Sequence, residues 1–113
     1  MAGLKAYRMG EDIKRIISSK IRDLKDPRIS GAMMLTIVRC EVSSDGSYCK
    51  VFVSSIEGYE QAKEAVKGFE SAKGIIKRDI SNALHLKKCP ELKFYADNSM
   101  EHSARINELL KDE

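Results

Sequence analysis

Apolar residues recur at Met9, Ile13, Ile16, Ile17, Ile21 and Leu24, the one-sided stripe of a helix of about four to five turns. Glu11 and Asp12 stand early and Lys20, Arg22 and Lys25 late, as the helix dipole favours. Pro27 disfavours helical geometry at Asp26, so the helix is expected to stop there and give way to a loop from Asp26 to Gly31. Residues 1–7 carry no period and read as a loose lead-in. From Met33 to Val42 the pattern changes to β-formers, followed by Ser43-Ser44-Asp45-Gly46-Ser47, a strong hairpin signal. With Asp45-Gly46 as a two-residue turn, Val42 faces Cys49 and Cys40 faces Val51. One face then carries Val38, Cys40, Val42, Cys49, Val51 and Val53. Arg39, Glu41 and Lys50 point away, and Ile37, Tyr48 and Phe52 fall on that second face.

Helical spacing returns at Tyr59. Ala62, Val66 and Phe69 form one stripe and Ile76, Ile80, Ala83 and Leu84 another. Ser71-Ala72-Lys73-Gly74 separates them, and glycine costs ~1 kcal/mol relative to alanine inside a helix. The segment from Tyr59 to Leu86 therefore reads as two short helices joined at a kink. After Cys89-Pro90, residues Leu92 to Ala96 read as a third strand. Asn98 with Glu101 resembles a capping box for a tail helix carrying Met100, Ala104, Ile106, Leu109 and Leu110. The order predicts an α+β fold: a three-stranded mixed sheet covered on one face by helices, the third strand parallel to the first, with a short helical tail over 98–113. This is the type II KH-like arrangement, α-β-β-α-kink-α-β, in a single domain over residues 1–113.

The chain has 113 residues, 42% hydrophobic and 33% charged, as expected of a soluble globular protein with a modest core. No apolar run is long enough to cross a bilayer and no secretion signal opens the chain, so a cytoplasmic location is expected. Three cysteines, an odd number, argue for reduced thiols. Cys40 and Cys49 are diagonal neighbours in the hairpin, where Cα atoms lie ~7–8 Å apart, too far for an unstrained disulfide. His85 and His102 stand on separate elements without a ligand pattern, so neither a metal nor another cofactor is expected.

The net charge is only +3, but its distribution is uneven. Lys63, Lys67, Lys73, Lys77 and Arg78 surround the kink, where a helix begins with unpaired N–H groups and Gly74 leaves room for a phosphate. Phasing adds Ser81, Asn82 and His85 to the same polar surface. The alternative is a helix end with solvated lysines. KH domains clamp single-stranded nucleic acid at a glycine-containing break between two helices.

Specific stretches sharpen the choice. These are Asp26-Pro27-Arg28-Ile29, Val42-Ser43-Ser44-Asp45, Val51-Phe52-Val53-Ser54, Ala72-Lys73-Gly74, Pro90-Glu91-Leu92-Lys93-Phe94, and Asp97-Asn98-Ser99 before Arg105-Ile106. In this order and spacing the chain resembles the bacterial ribosome-binding factor A family, from about Arg8 to Leu110. The resemblance implies a KH-like domain in which an Ala-x-Gly kink, here Ala72-Lys73-Gly74, replaces the usual Gly-x-x-Gly loop. It also implies binding to the free small (30S) ribosomal subunit and its ribosomal RNA, help in maturing the 5′ end of 16S RNA, and a role in cold adaptation. Where such proteins are expected to carry more arginine, this chain has His85, Lys87 and Lys88, which favours point-charge contacts to phosphate.

The candidate RNA-binding residues are thus Lys63, Lys67, Ala72, Lys73, Gly74, Lys77, Arg78, Ser81, His85, Lys87 and Lys88. No small-molecule substrate is implied, and a monomer is expected. No nucleotide-binding or hydrolase motif is present, and Ser71 near Lys73 lacks an oxyanion-hole candidate, so the chain reads as a non-enzyme. The rival readings are a generic KH-type single-stranded RNA-binding module and a protein-binding adaptor using Tyr48, Phe52 and Ile37 or the tail.

Overall fold

The computed structural model describes residues 2–24, 27–30 and 35–98. Helix α1 (Ala2–Lys20) runs into a 3-10 turn (Ile21–Asp23), and a single helical turn, α2 (Pro27–Ser30), precedes strands β1 (Leu35–Val42) and β2 (Tyr48–Ser55). Helices α3 (Tyr59–Ser71) and α4 (Lys73–Leu84) follow, then strand β3 (Glu91–Ala96). The strands form a mixed sheet whose apolar side, with Ile37, Val51, Val53, Leu92 and Phe94, closes a core with Ile13, Ile17, Phe69, Ile76 and Ile80 from the helices. This is the expected α+β architecture.

Its details differ from the sequence expectation in several places. The backbone of residues 2–7 is helical rather than a loose lead-in. Leu4 and Tyr7 are 49% and 66% exposed, so this part of α1 has no buried stripe for a periodicity to reveal. Pro27 does not sit in a loop; it opens α2, where its missing N–H would have been unpaired anyway, and α2 buries Ile29. The third strand pairs in parallel with β2, not β1. The connection through α3 and α4 starts at the end of β2, so β3 docks beside the strand it left, as sequential elements usually do, and β2 becomes the central strand.

A further difference is a β-bulge. The hairpin register holds as expected at Val42 opposite Cys49 and Cys40 opposite Val51, but it shifts between Ile37 and Arg39. Val38 is the extra residue, so Ile37 pairs with Val53 and turns into the core at 2% exposure instead of joining Tyr48 and Phe52.

The hairpin turn is held by local polar groups. Gly46 N–H donates to Ser43 C=O at 2.9 Å, so the centre of the turn is Ser44-Asp45 rather than the expected Asp45-Gly46, and Gly46 follows it at φ 76°, a conformation that glycine adopts without strain. Asp45 accepts hydrogen bonds from both serine hydroxyls, Ser43 and Ser47, at 2.7 Å and from Ser47 N–H at 3.0 Å. These bonds, those of Ser47 first, hold its carboxyl at about 2, below the usual 3.8. A depressed carboxylate stabilises the fold fully above its unfolded value and loses that contribution as pH falls from about 4 through about 2. The melting-temperature gap between the native chain and Asp45→Asn is therefore expected to narrow over that window in a pH series of thermal melts. A constant gap would contradict the assignment.

The three cysteines are free. Cys40 and Cys49 stand together on the inner face, and the Cys49 thiol beside it, with burial, raises the pKa of Cys40. Burial likewise raises that of Cys89. The capping pair Asn98 and Glu101, the tail helix and His102 reach beyond the described residues.

Candidate nucleic-acid interface

The break between α3 and α4 lies at Ala72. Its φ of −91° and ψ of 5° put it in the sparsely populated bridge region, and its N–H is shared between the carbonyls of Gly68 and Phe69 at 3.0 and 3.1 Å. Its own carbonyl accepts from Ile76 N–H and starts α4, whose first turn has no side-chain cap. The bend therefore does not rest on glycine. Gly74 is helical and exposed, and a Cβ there would meet nothing within 4 Å. The change of direction lets α3 bury Ala62, Ala65 and Phe69 against α2 and β3, while α4 buries Ile76 and Ile80 beside α1.

The basic side chains around the break divide into two sets. Lys63 and Lys67 on α3 are bonded to Glu60 and Glu64 at 3.0 Å, one turn back, and the Glu60 contact raises the pKa of Lys63. Lys73 pairs with Glu70 at 2.6 Å and is largely covered. Ser71 donates to the Lys67 carbonyl and accepts from Arg28 at 3.0 Å, so Ser71 and Lys73 are each bonded elsewhere.

The second set converges. Lys77, Arg78 and Ser81 of α4, Lys87, Lys88 and Cys89 of the following loop, Glu91 of β3, Tyr48 at the start of β2 and Ser47 before it line an open cleft of about 510 Å³. Lys77 is bonded to Glu91 at 3.0 Å, and this contact lowers the Glu91 pKa. Arg78, Lys87 and Lys88 are exposed and form no ion pair among the described residues.

The loop is set by His85, which ends α4 in the left-handed region at φ 53°. The N–H groups of His85 and Leu86 both reach the Ser81 carbonyl, a Schellman-type ending that turns Lys87 and Lys88 back toward Arg78. His85 is thus a helix terminator, and the helix stops at Leu84 rather than Leu86. Ala72 lines a different cavity, of about 450 Å³, with Lys20, Leu24, Ser71, Ile75 and Asp79. The break and the cleft are separate features. Among the described residues no cluster of His, Cys, Asp or Glu could hold a metal, and no helix is long and apolar enough to cross a membrane.

Comparison with known proteins follows the fold. The family model "Ribosome-binding factor A" matches residues 5–110. The chain belongs to the ribosome-binding factor A family. A curated ribosome-binding factor A from Halothermothrix orenii is 43% identical over 108 residues, covering 95% of this chain and 86% of the relative. The solution NMR structure of a ribosome binding factor A from Thermotoga maritima matches with a TM-score of 0.69 and 33% identity, covering 80% of this chain and 87% of that one. A ribosome-binding factor A of Thermus thermophilus, fitted into the cryo-EM map of a 30S complex, matches with a TM-score of 0.65 at 24% identity over 80% of this chain and 92% of that one, a likeness of fold.

Within this member of the ribosome-binding factor A family, five of the eleven candidate residues, Lys77, Arg78, Ser81, Lys87 and Lys88, share one cleft. Tyr48, 55% exposed at its edge, was not among them. Its place at the cleft comes from the parallel pairing of β2 with β3, which sets Tyr48 beside Glu91, the first residue of β3.

Proposed function

We propose that this chain is an assembly factor that binds the ribosomal RNA of the free small subunit through the cleft between α4 and the start of β2. Three cations that form no ion pair among the described residues, Arg78, Lys87 and Lys88, stand together beside an exposed tyrosine, and this is the observation that carries the reading. The cations suit phosphates and the ring suits an unpaired base. Membership in the family, with a relative fitted into a 30S complex, supports the small subunit as the partner. Lys77 adds to the field, partly offset by Glu91. Gly74 offers open backbone at the start of α4 for a further phosphate, with Lys73 available when released from Glu70.

The chain acts without chemistry of its own, as a monomer in the cytoplasm. It stabilises one conformer of the immature subunit by binding it better than the alternatives, which assists maturation of the 5′ end of 16S RNA and matters most in the cold, where misfolded RNA escapes slowly. The test is the Arg78→Gln/Lys87→Gln/Lys88→Gln variant, titrated against purified free small subunits at several salt concentrations. Affinity is expected to fall at least tenfold, and the slope of log K against log salt to become shallower by about 2, for three single-strand phosphate contacts. Unchanged affinity and slope would remove the cleft from the interface.

A further inference from the structure

The helices cover one face of the sheet, and the register arranges the other into rows. Arg39, Phe52 and Tyr95 lie side by side across β1, β2 and β3, and the next row is Glu41, Lys50 and Lys93. In the first row the rings of Phe52 and Tyr95 stack at 5.5 Å between centroids, and the Arg39 guanidinium lies 4.0 Å from the centre of Phe52. Tyr95 is 39% exposed. A wet aromatic row capped by a cation is more apolar surface than solvent alone favours.

The second row breaks a rule of sheet construction. Lys50 and Lys93 stand directly opposite each other on adjacent strands, an arrangement of like charges that destabilises a sheet. Neither forms an ion pair among the described residues, and the nearest acid in the row, Glu41, is bonded to Arg39 at 2.8 Å. The two rows are two residues apart, about 6.6 Å by the rise of a strand. Lys50 and Lys93 together suit one phosphate, and the ring row suits an unpaired base at the distance of a neighbouring nucleotide. Tyr48 lies on this face too, two residues before Lys50, and lines the α4 cleft, so cleft and face are continuous.

We infer that the sheet face left open by the described residues, through Lys50, Lys93, Phe52 and Tyr95, is a second binding surface that takes an unpaired segment of RNA. The occupant is single-stranded nucleic acid rather than a protein face, because adjoining cations and an exposed tyrosine ring backed by half-buried Phe52 match phosphate and base at once, and ring stacking accepts any base. The inference rests on the RNA-binding reading above but places the strand on a different surface.

Two variants of the full chain test it: Lys50→Gln/Lys93→Gln, and Phe52→Leu/Tyr95→Thr. The probes are fluorescently labelled eight-nucleotide oligouridylate and oligoadenylate, and the purified free subunit. The lysine variant removes a repulsion, so its melting temperature is expected to hold or rise while oligonucleotide affinity falls about tenfold and the salt slope falls by about 0.7, for one phosphate. That combination excludes unfolding as the cause. The chain has no tryptophan, so tyrosine dominates its intrinsic emission, and quenching by oligonucleotide is expected in the native chain and reduced in Phe52→Leu/Tyr95→Thr, which keeps Tyr48 of the cleft. Native oligonucleotide affinity in both variants would overturn the inference. Should they bind oligonucleotide normally yet lose the subunit, the face meets protein, and the inference also fails. The Arg78→Gln/Lys87→Gln/Lys88→Gln variant keeps the two readings apart: a loss there with none on the sheet sinks this inference alone, and the reverse sinks the cleft alone.

Discussion

Gly10→Ala is expected to destabilise the protein by about 2 kcal/mol, a fall of about 8 °C in melting temperature by calorimetry or circular dichroism. Alanine gains ~1 kcal/mol of helix propensity at an interior position, so the steric cost must exceed that gain. It does so because a Cβ at Gly10 would lie 2.4 Å from the carbonyl oxygen of Cys40 and 3.4 Å from its carbon. Those atoms are backbone in the middle of β1 and have no rotamer to change, so either α1 or the strand must move, with Val42 next in line at 3.7 Å. Gly74→Ala is the control. It meets open space in a helical conformation and is expected to raise stability by about 0.5–1 kcal/mol. Shifts of the same sign at both positions would show that the packing of α1 on β1 is not what makes Gly10 necessary.

The second large effect is expected at Glu70, which ties the break to the sheet. Its carboxylate accepts from the N–H of Phe94 at 3.2 Å on the free edge of β3 and binds Lys73 at 2.6 Å. Phe94 is 5% exposed and its ring stacks on Phe69 at 5.3 Å, so its amide has little water to turn to. Glu70→Ala leaves that donor without a partner and is expected to cost about 2 kcal/mol, read as a lower urea midpoint with an unchanged slope. Glu70→Gln keeps an acceptor oxygen and loses only the partly exposed ion pair, so it is expected to cost less than about 1 kcal/mol. Equal losses would assign the stability to the ion pair and not to the amide.

What could be read from the chain was whatever local chemistry decides. The hairpin register follows from the turn signal over Ser43 to Ser47, and the break is read from Ser71 and Gly74 interrupting a stripe that otherwise keeps one helical phase from Ala62 to Leu84, although the bend itself lies at Ala72. The flip of Ile37 was not legible, because a bulge is visible only when the partner strand is in place. The first turns of α1 were not legible either, since they bury nothing that would impose a period. At the candidate site, Lys63 and Lys67 are bonded to Glu60 and Glu64, which stand three residues before them, the spacing at which helical side chains meet. Tyr48 and the Lys50–Lys93 opposition needed the pairing of β2 with β3, which no local pattern specifies.

The extra residue in β1 divides that strand into two frames of counting. On the Val42 side, even positions point inward; on the Leu35 side, odd ones do. An alignment that scores alternation alone will slip by one across this segment. A strand that kept Val38 but lost the bulge would offer Thr36 to the oil and Ile37 to the water, whereas a chain lacking Val38 would run in plain alternation with Ile37 still inward.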